Sequence, residues 1–272
     1  MPNPPERRPA AATSAAPTAG RMPVVFVSHG APTLALDRVA GADFARLFAA
    51  LPRPRAILAL SAHWLDAPPT IGTVTARPLL HDYAGFPPAL GRVRHAAPAA
   101  AWLAPRLAEL LPGIARADAR PWDHGVWVPL VHMDPRAEVP VLQLSVPWRW
   151  SPRELHALGR ALRPLRDDGV LVLASGGMVH NLGALAWDGD APPPAWALEF
   201  EGWVRDRVLA RDDDGLLAYR ERAPGCRLAH PSDDHFVPLL VAAGAADADD
   251  AATFPITGFE LGSLSRCAVR LG

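Results

Sequence analysis

The sequence predicts an α/β protein, a single-domain αβα sandwich around a largely parallel or mixed central sheet. Apolar runs typical of buried strands recur along the chain, and segments with helical periodicity separate them. The strand candidates lie at residues 23–28, 55–61, 139–146 and 168–174. Alternation of strands and helices favours parallel pairing, because each helix returns the chain to the same end of the sheet.

The helix candidates lie at residues 43–50, 99–110, 152–162, 194–210 and 234–243. Ser151 is the predicted N-cap of the third helix, with proline at the first helical position and Glu154 at the third. Residues 232–234 are expected to cap the last helix in a similar way, which places His235 near its start. Residues 258–272 are expected to form a terminal hairpin or a pair of edge strands.

Composition points to a small-molecule partner. The chain has 272 residues, 50% of them hydrophobic and 20% charged, with a formal net charge of −1. This balance predicts no broad electrostatic field that would attract nucleic acid or an anionic membrane. No apolar run reaches the roughly 18 residues of a membrane-spanning helix. Composition leaves the oligomeric state open.

Residue usage excludes two kinds of chemistry and suggests a location. All 27 basic residues other than histidine are arginine, so a Schiff-base lysine and a phosphate-loop lysine are both excluded. Cys226 and Cys267 match neither a disulfide framework nor a zinc pair, which predicts a cytoplasmic protein. Residues 1–20 are rich in proline and alanine and lack the apolar core of a secretory signal, so we expect a disordered tail there. Residues 21–272 are expected to form the folded domain.

Histidines follow the ends of two strand candidates. His29 ends the first apolar run and His63 ends the second. Ligand sites in open α/β sheets lie beyond the carboxyl ends of strands, so these imidazoles are expected at one edge of the sheet. His180 can turn back to that edge after the flexible glycine pair 176–177. His235 is expected to face the same cavity from the start of its helix.

Such a group of imidazoles favours a metal site. Neutral imidazoles on a rigid sheet suit iron, zinc or copper, whereas calcium and magnesium prefer oxygen ligands. For each histidine alone, an ordinary loop residue bonded to backbone is the competing interpretation. Their shared position at one edge favours the metal.

The segment PWDHGVWVPL, residues 121–130, places His124 between two tryptophans. This aromatic frame predicts a pocket wall that excludes water and prepares the imidazole for acid–base work. The alternative is a helix or loop start that Trp122 and Trp127 pack.

Other signatures are missing or carry no matched context. The sequence contains no HExxH, CxxC, GxSxG or GxGxxG motif, although a dispersed Ser-His-Asp triad stays open. The remaining histidines are expected in loop, surface or packing roles: His81, His95, His132, His156 and His230.

Seven segments, in chain order, resemble one family. They are VFVSHGAPTLALD, LSAHW, HDYAGFP, WDHGVWVPL, SGGMVHNL, HPSDDHFVPLLVAAGA and GSLS. Together they are similar to the DODA-type class III extradiol ring-cleavage dioxygenases, the LigB-like, 4,5-DOPA dioxygenase family. The resemblance covers nearly the whole chain from residue 22 onward.

The resemblance implies a mononuclear non-haem Fe(II) enzyme, with Zn(II) possible at the same site. By their positions in the motifs, His29, His63 and His235 match the family's metal ligands. His180 matches a further histidine at the metal centre, and His124 matches the acid–base residue. Protocatechuate members complete their ligand set with glutamate, where this chain has histidine.

The implied reaction is extradiol cleavage of a catechol-type ring by O2, with DOPA among the candidate substrates. Residues 21–272 then form the catalytic domain. Two alternatives stay open. Zinc could use the same imidazoles to activate water, as in a hydrolase on the same scaffold. The chain could also be a metal-binding protein without turnover.

Overall fold

The computed structural model describes residues 21–75, 78–187 and 191–272. The predicted disordered tail, residues 1–20, lies outside the described residues. The strands are β1 (Val24–Ser28), β2 (Ala56–Ser61), β3 (Thr70–Gly72), β4 (Ala115–Ala117), β5 (Val141–Leu144), β6 (Val170–Gly176), β7 (Ala252–Ile256), β8 (Phe259–Glu260), β9 (Leu264–Ser265) and β10 (Ala268–Leu271). The α-helices are α1 (Arg38–Ala49), α2 (Leu103–Leu110), α3 (His124–Met133), α4 (Pro152–Leu162), α5 (Pro164–Asp167), α6 (Ala195–Leu209), α7 (Asp213–Leu217), α8 (Tyr219–Arg222), α9 (Cys226–Ala229) and α10 (Val237–Ala245). Short 3-10 helices cover Pro32–Leu36, Pro88–Arg92 and Leu182–Ala184.

Within the described residues, eight strands form one sheet in the order β4-β3-β5-β2-β6-β1-β10-β7. The four central strands, β5, β2, β6 and β1, are parallel. Strand β10 is antiparallel to both neighbours, and β3 is antiparallel to β5. The prediction of an α/β fold with a largely parallel, mixed sheet is confirmed.

Both faces of the four central strands are buried, which explains why these strands read as continuous apolar runs. Alternate residues of β1 point to opposite faces: Val24 and Phe26 belong to one apolar cluster, and Val25 and Val27 belong to the other. Helices α4, α6 and α10 cover the first face, and α1 and α3 cover the second. The layers are those of an αβα sandwich.

The predicted elements differ from the observed ones mainly at their ends. Helix α4 has both predicted ends, and the Ser151–Glu154 capping box is formed. Helix α1 begins earlier than predicted because the Asp37 side chain accepts hydrogen bonds from two amides of its first turn. The helix predicted from residue 99 begins at Leu103, because Ala99 forms a β-bridge with Val141.

The predicted cap of the last helix is wrong. Helix α10 begins at Val237, and no side chain caps it. Ser232 donates instead to Asp234, and Asp233 accepts from Arg220 at 2.7 Å, so these side chains are engaged elsewhere. His235 consequently lies in the turn before the helix.

The C-terminal segment forms more than the predicted hairpin. Strands β8 and β9 form a two-stranded antiparallel sheet, whereas β10 enters the main sheet between β1 and β7. Among the described residues, every helix is too short or too polar to cross a bilayer.

Candidate metal centre and active site

Two histidines reach the site from the carboxyl edge of the parallel sheet. His29 follows β1 directly, and His63 lies two residues beyond β2. Strand β6 lies between these strands and pairs with both. The His29 amide donates to the Gly176 carbonyl oxygen at 3.0 Å, so the sheet pairing extends to this residue. Both imidazoles therefore start from fixed backbone positions, as the sequence predicts.

The hydrogen bonds of His29 fix its tautomer. Its Nδ1 lies 2.9 Å from Ser175 Oγ, and that hydroxyl donates its single proton to the Gly125 carbonyl oxygen. Ser175 Oγ must therefore accept a hydrogen bond from the His29 Nδ1–H, which leaves the lone pair on Nε2. The Nε2 atoms of His29 and His63 are 3.1 Å apart. A lone pair is thus presented where the two rings meet.

His124 is the first residue of α3 and pairs with an aspartate that sequence reasoning did not assign. Its Nδ1 lies 2.7 Å from Asp82 Oδ1, and its backbone amide lies 3.2 Å from the same oxygen. The other Asp82 oxygen is 3.8 Å from His63 Nδ1. One carboxylate thus orients His124 and faces His63. Asp82 belongs to HDYAGFP, a segment that carries the resemblance without suggesting a partner.

Asp123, next to His124 in sequence, has a structural role. It is fully buried, and its two oxygens accept from Ser61 Oγ at 2.6 Å and from Gln143 Nε2 at 2.5 Å. These bonds join the end of β2 and strand β5 to the start of α3. Trp122 and Trp127 are also fully buried, and neither lines the cavity that His124 lines, so they pack the start of the helix and do not form a pocket wall.

His235 enters from the turn before α10, with one nitrogen bonded and the other free. Its Nδ1 lies 2.6 Å from Asp234 Oδ2, so Nδ1 carries the proton. Its Nε2 is buried without a hydrogen-bond partner among the described residues. Within the described part of the chain, His95 Nε2 and His230 Nδ1 also lack a partner, but neither residue lines the cavity. Because His235 lines the same cavity as His29 and His63, its free nitrogen indicates a ligand site.

His180 lies against His235. The two rings are stacked, with centroids 3.5 Å apart and an interplanar angle of 3°. Gly176 is needed for close packing and not for the expected flexibility, because a Cβ at this position would collide with the His235 carbonyl oxygen. Gly177 donates to that same oxygen at 2.9 Å, which joins the two segments.

All five predicted site histidines line one cavity of about 330 Å³, together with Asp82 and Tyr83. Ligand nitrogens of His29, His63 and His124 lie within 4.8 Å of one another, a spacing that one metal ion can bridge. The His235 ring centroid is 5.3 Å from that of His29 and 4.9 Å from that of His63.

Burial keeps three of the imidazoles neutral. It lowers the pKa of His29 well below the ordinary value, and the neighbouring His63 lowers it further. Burial and the nearby His124 lower the pKa of His63 to about 2. Burial and the stacked His235 lower the pKa of His180 to about 3. At neutral pH these rings carry lone pairs and no charge, which is the state that binds a metal ion.

Two ionised carboxylates accompany the neutral rings. Burial alone would raise the pKa of Asp82, but the hydrogen bond and charge of His124 outweigh it, and the pKa lies below its usual value. Burial opposes ionisation of Asp234 as well, yet the hydrogen bond from His235 holds its pKa low. Imidazole nitrogens backed by carboxylates are a usual donor set for iron, zinc or copper. The residues present fit such an ion.

Comparison with known proteins agrees with this geometry. Residues 27–269 match the family described as the catalytic LigB subunit of aromatic ring-opening dioxygenase. The chain is 38% identical over 263 residues to the 4,5-DOPA dioxygenase extradiol of Escherichia coli (strain K12), covering 93% of this chain and 95% of that protein. It is 37% identical over 234 residues to the 4,5-DOPA dioxygenase extradiol of Beta vulgaris, covering 81% and 85% of the two chains.

A solved structure shares the fold. The crystal structure of uncharacterized protein JW3007 from Escherichia coli K12 superimposes with a TM-score of 0.81 at 34% identity. The match covers 93% of this chain and 100% of that one. Sequence, fold and the histidine-lined cavity thus lead to one conclusion: the chain belongs to the LigB family of aromatic ring-opening dioxygenases and is a metal-dependent extradiol dioxygenase, with a small-molecule substrate and O2 as its reactants.

Proposed function

We propose that His29, His63 and His235 bind the catalytic metal ion and that His180 is a further histidine at the metal centre. In the same proposal, His124 transfers protons and does not bind the metal. The family resemblance supports this division of roles, and the cavity accommodates it because all five rings line the same space.

One observation carries the ligand assignment: the His235 Nε2 atom is buried and has no partner among the described residues. Its other nitrogen is bonded to a carboxylate, and His29 shows the same arrangement with a serine hydroxyl. Metal-binding histidines usually donate their second ring N–H in this way, which fixes the ring and directs the lone pair to the ion.

Fe(II) is the proposed functional metal, and Zn(II) is proposed to bind the same donors without supporting turnover. Both ions accept imidazole ligands. Bound Fe(II) would supply the redox step between a catechol and O2, whereas zinc has no accessible redox change. The protein supplies the donors and excludes competing water: His29 and His235 are almost completely buried.

His124 is proposed to take a proton from a catechol hydroxyl and to return it later in the reaction. Its Nδ1–H is bonded to Asp82 Oδ1 at 2.7 Å, so the Nε2 lone pair is available in the cavity. Asp82 is a positioning residue: it selects the tautomer and stabilises the imidazolium that forms when His124 accepts a proton. This arrangement resembles the role of the aspartate in His–Asp pairs of other enzymes.

The proposed substrate is a catechol, because two vicinal hydroxyls bound to one ion hold the ring in place beside O2. Two of the relatives are named 4,5-DOPA dioxygenase extradiol, so DOPA is the first named catechol to test. We further propose residues 21–272 as one catalytic domain. A cytoplasmic location is proposed from the two buried free cysteines.

The test is to strip the metal and reconstitute the protein anaerobically with either Fe(II) or Zn(II). With Fe(II), we expect O2 consumption and a yellow ring-opened product from catechols, with none from the matching monophenols. With Zn(II), we expect neither. Equal turnover by the zinc form, or ester or amide hydrolysis without O2 uptake, would favour the hydrolase instead.

A further inference from the structure

One wall of the cavity is apolar and is built from two connected segments. Its side chains are Leu182, Leu185, Trp187, Leu261 and Leu264, and Phe86 from a third segment also lines the cavity. The Ala186 amide donates to the Leu261 carbonyl oxygen at 2.9 Å, and Ser263 Oγ donates to the Ala184 carbonyl oxygen at 3.1 Å. Hydrogen bonds therefore join the two segments that form the wall.

Two of these side chains are unusually exposed for their type. Leu182 is 57% exposed and Trp187 is 66% exposed, although both line the cavity. Exposed apolar surface at the rim of a binding cavity marks a contact area for an apolar group. The His-lined end and this wall together define where a catechol ring and its substituent would lie.

Charged partners for a substituent are scarce in the same space. Of the described residues that line the cavity, Asp82 is the one acidic side chain, and none is an arginine. Asp82 is already bonded to His124. The acidic side chains beside the lining are also engaged: Glu260 accepts from the Ala31 amide and Asp234 from His235. A carboxylate or ammonium group placed against the wall would lose water without gaining a partner, and that loss is unfavourable.

We propose that the ring substituent of the preferred catechol is uncharged and apolar, with the wall as its binding surface. The inference rests on the proposed function for the orientation of the ring. It narrows the substrate class, and it makes DOPA, with its charged amino-acid group, a poorer substrate than an alkylcatechol. The cavity of about 330 Å³ accommodates one ring and a short substituent, since small-molecule sites span roughly 300–1,000 Å³.

The experiment compares catechol, 4-methylcatechol, 4-ethylcatechol and 4-propylcatechol with DOPA and 3,4-dihydroxyphenylacetate. With the Fe(II) protein, kcat/KM is expected to rise about threefold to fourfold for each added CH₂ group. The two charged catechols should show no such gain over catechol. A value for DOPA or 3,4-dihydroxyphenylacetate equal to or above that for 4-ethylcatechol overturns the proposal.

Dissociation constants measured by calorimetry with the Zn(II) protein separate this inference from the proposed function, because they need no turnover. The same order of affinities in the Zn(II) protein, with no ring cleavage by the Fe(II) protein, would support the apolar wall and reject the proposed function. Ring cleavage by the Fe(II) protein, together with tighter binding of the charged catechols by the Zn(II) protein, would support the proposed function and reject the apolar wall.

Two variants test the wall itself. Trp187→Ala is expected to reduce the gain per CH₂ group in both measurements. Leu182→Arg should shift the preference toward 3,4-dihydroxyphenylacetate over 4-ethylcatechol by about tenfold or more, because it adds a charged partner at an exposed position. Leu209→Ala, at a 54% exposed leucine outside the cavity lining, is the control and should leave the series unchanged. An unchanged preference in both wall variants would contradict the assignment.

Discussion

The histidines of the cavity differ from three other partly or fully buried histidines in what their nitrogens contact. Outside the cavity, His132, His156 and His230 use Nε2 for structure. His132 Nε2 lies 2.8 Å from the Leu34 carbonyl oxygen, His156 Nε2 lies 3.1 Å from Asp213, and His230 Nε2 lies 2.9 Å from the Met178 carbonyl oxygen. In the cavity, His29, His124 and His235 bond through Nδ1 instead.

This difference teaches that burial alone does not identify a ligand. A buried imidazole with one nitrogen held by a local partner becomes useful when its other nitrogen faces a shared space. His230 shows the opposite case: its Nε2 bonds to backbone and its ring packs against Phe200 and Phe236. The variants below test whether the two groups differ in function as they do in bonding.

The largest effect is expected for His235→Ala. Removal of a residue that only hydrogen-bonds a metal ligand lowers metal affinity roughly 10–100-fold. Loss of the ligand itself should weaken metal binding by more than that, and ring cleavage should disappear with the metal. The measurement is metal per protein after equilibration with a competing chelator. His156→Ala, which removes a buried histidine outside the cavity, is the matched control and should retain the metal. Full metal content in His235→Ala would show that His235 is not a required ligand and would favour His124, whose ligand nitrogen lies within 4.8 Å of those of His29 and His63.

His124→Ala should keep the metal and lose ring cleavage by about 10² to 10⁴ in kcat, the usual range for a general acid–base residue. Metal analysis and O2 uptake on the same sample check both parts. If metal content falls together with activity, the role assigned to His124 is wrong and the trio His29, His63 and His124 becomes the ligand set.

Asp82→Asn should lower kcat by roughly 10–100-fold with the metal retained. The amide keeps the size of the side chain but removes the negative charge that stabilises the imidazolium formed when His124 accepts a proton. The loss should therefore fall on kcat and leave KM nearly unchanged, a split that disturbed substrate binding would not cause. A comparable change in KM would count against a role for Asp82 in the proton transfer.

The smallest effect concerns His230 and stability. Burial lowers its pKa to about 4 from an ordinary value of 6.5. Between these values the unfolded chain binds a proton that the folded chain does not, so the free energy of unfolding falls as pH decreases below 6.5. This one group contributes a slope of up to about 1.4 kcal/mol per pH unit. Urea unfolding at several pH values should show a shallower slope for His230→Gln, and an identical slope would exclude this contribution.

Much of the site was accessible to sequence reasoning because it depends on local pattern. His29 and His63 follow the ends of apolar runs, and parallel strands bring their carboxyl ends to one edge. The wrong cap at residues 232–234 has a clear cause: Asp233 and Asp234 pair with Arg220 and His235 instead of with the helix amides. These two pairings compete with capping, and the Asp233–Arg220 ion pair also joins separate segments of the chain.

Asp82 shows why the other residues of the site could not be predicted from the sequence. It lies 42 residues before His124, with which it pairs, and its segment contains no strand end or repeated spacing to mark it. Ser175 is similar, since 146 residues separate it from His29. Such partners depend on how the loop over residues 78–87, helix α3 and strand β6 pack together. No local pattern in the sequence encodes that packing.

The sequence by itself determined the α/β class, the positions of the central strands, the capping box of α4 and the five histidines of the cavity. These features follow from hydrophobic periodicity, local capping chemistry and ordered motifs. Three-dimensional packing set which nitrogen of His29, His124 and His235 is bonded, that Gly176 must lack a side chain beside the His235 carbonyl oxygen, and that an apolar group of side chains lines the same cavity as the imidazoles. Those outcomes depend on contacts between distant segments, because a ring's tautomer and direction are set by its bonding partners.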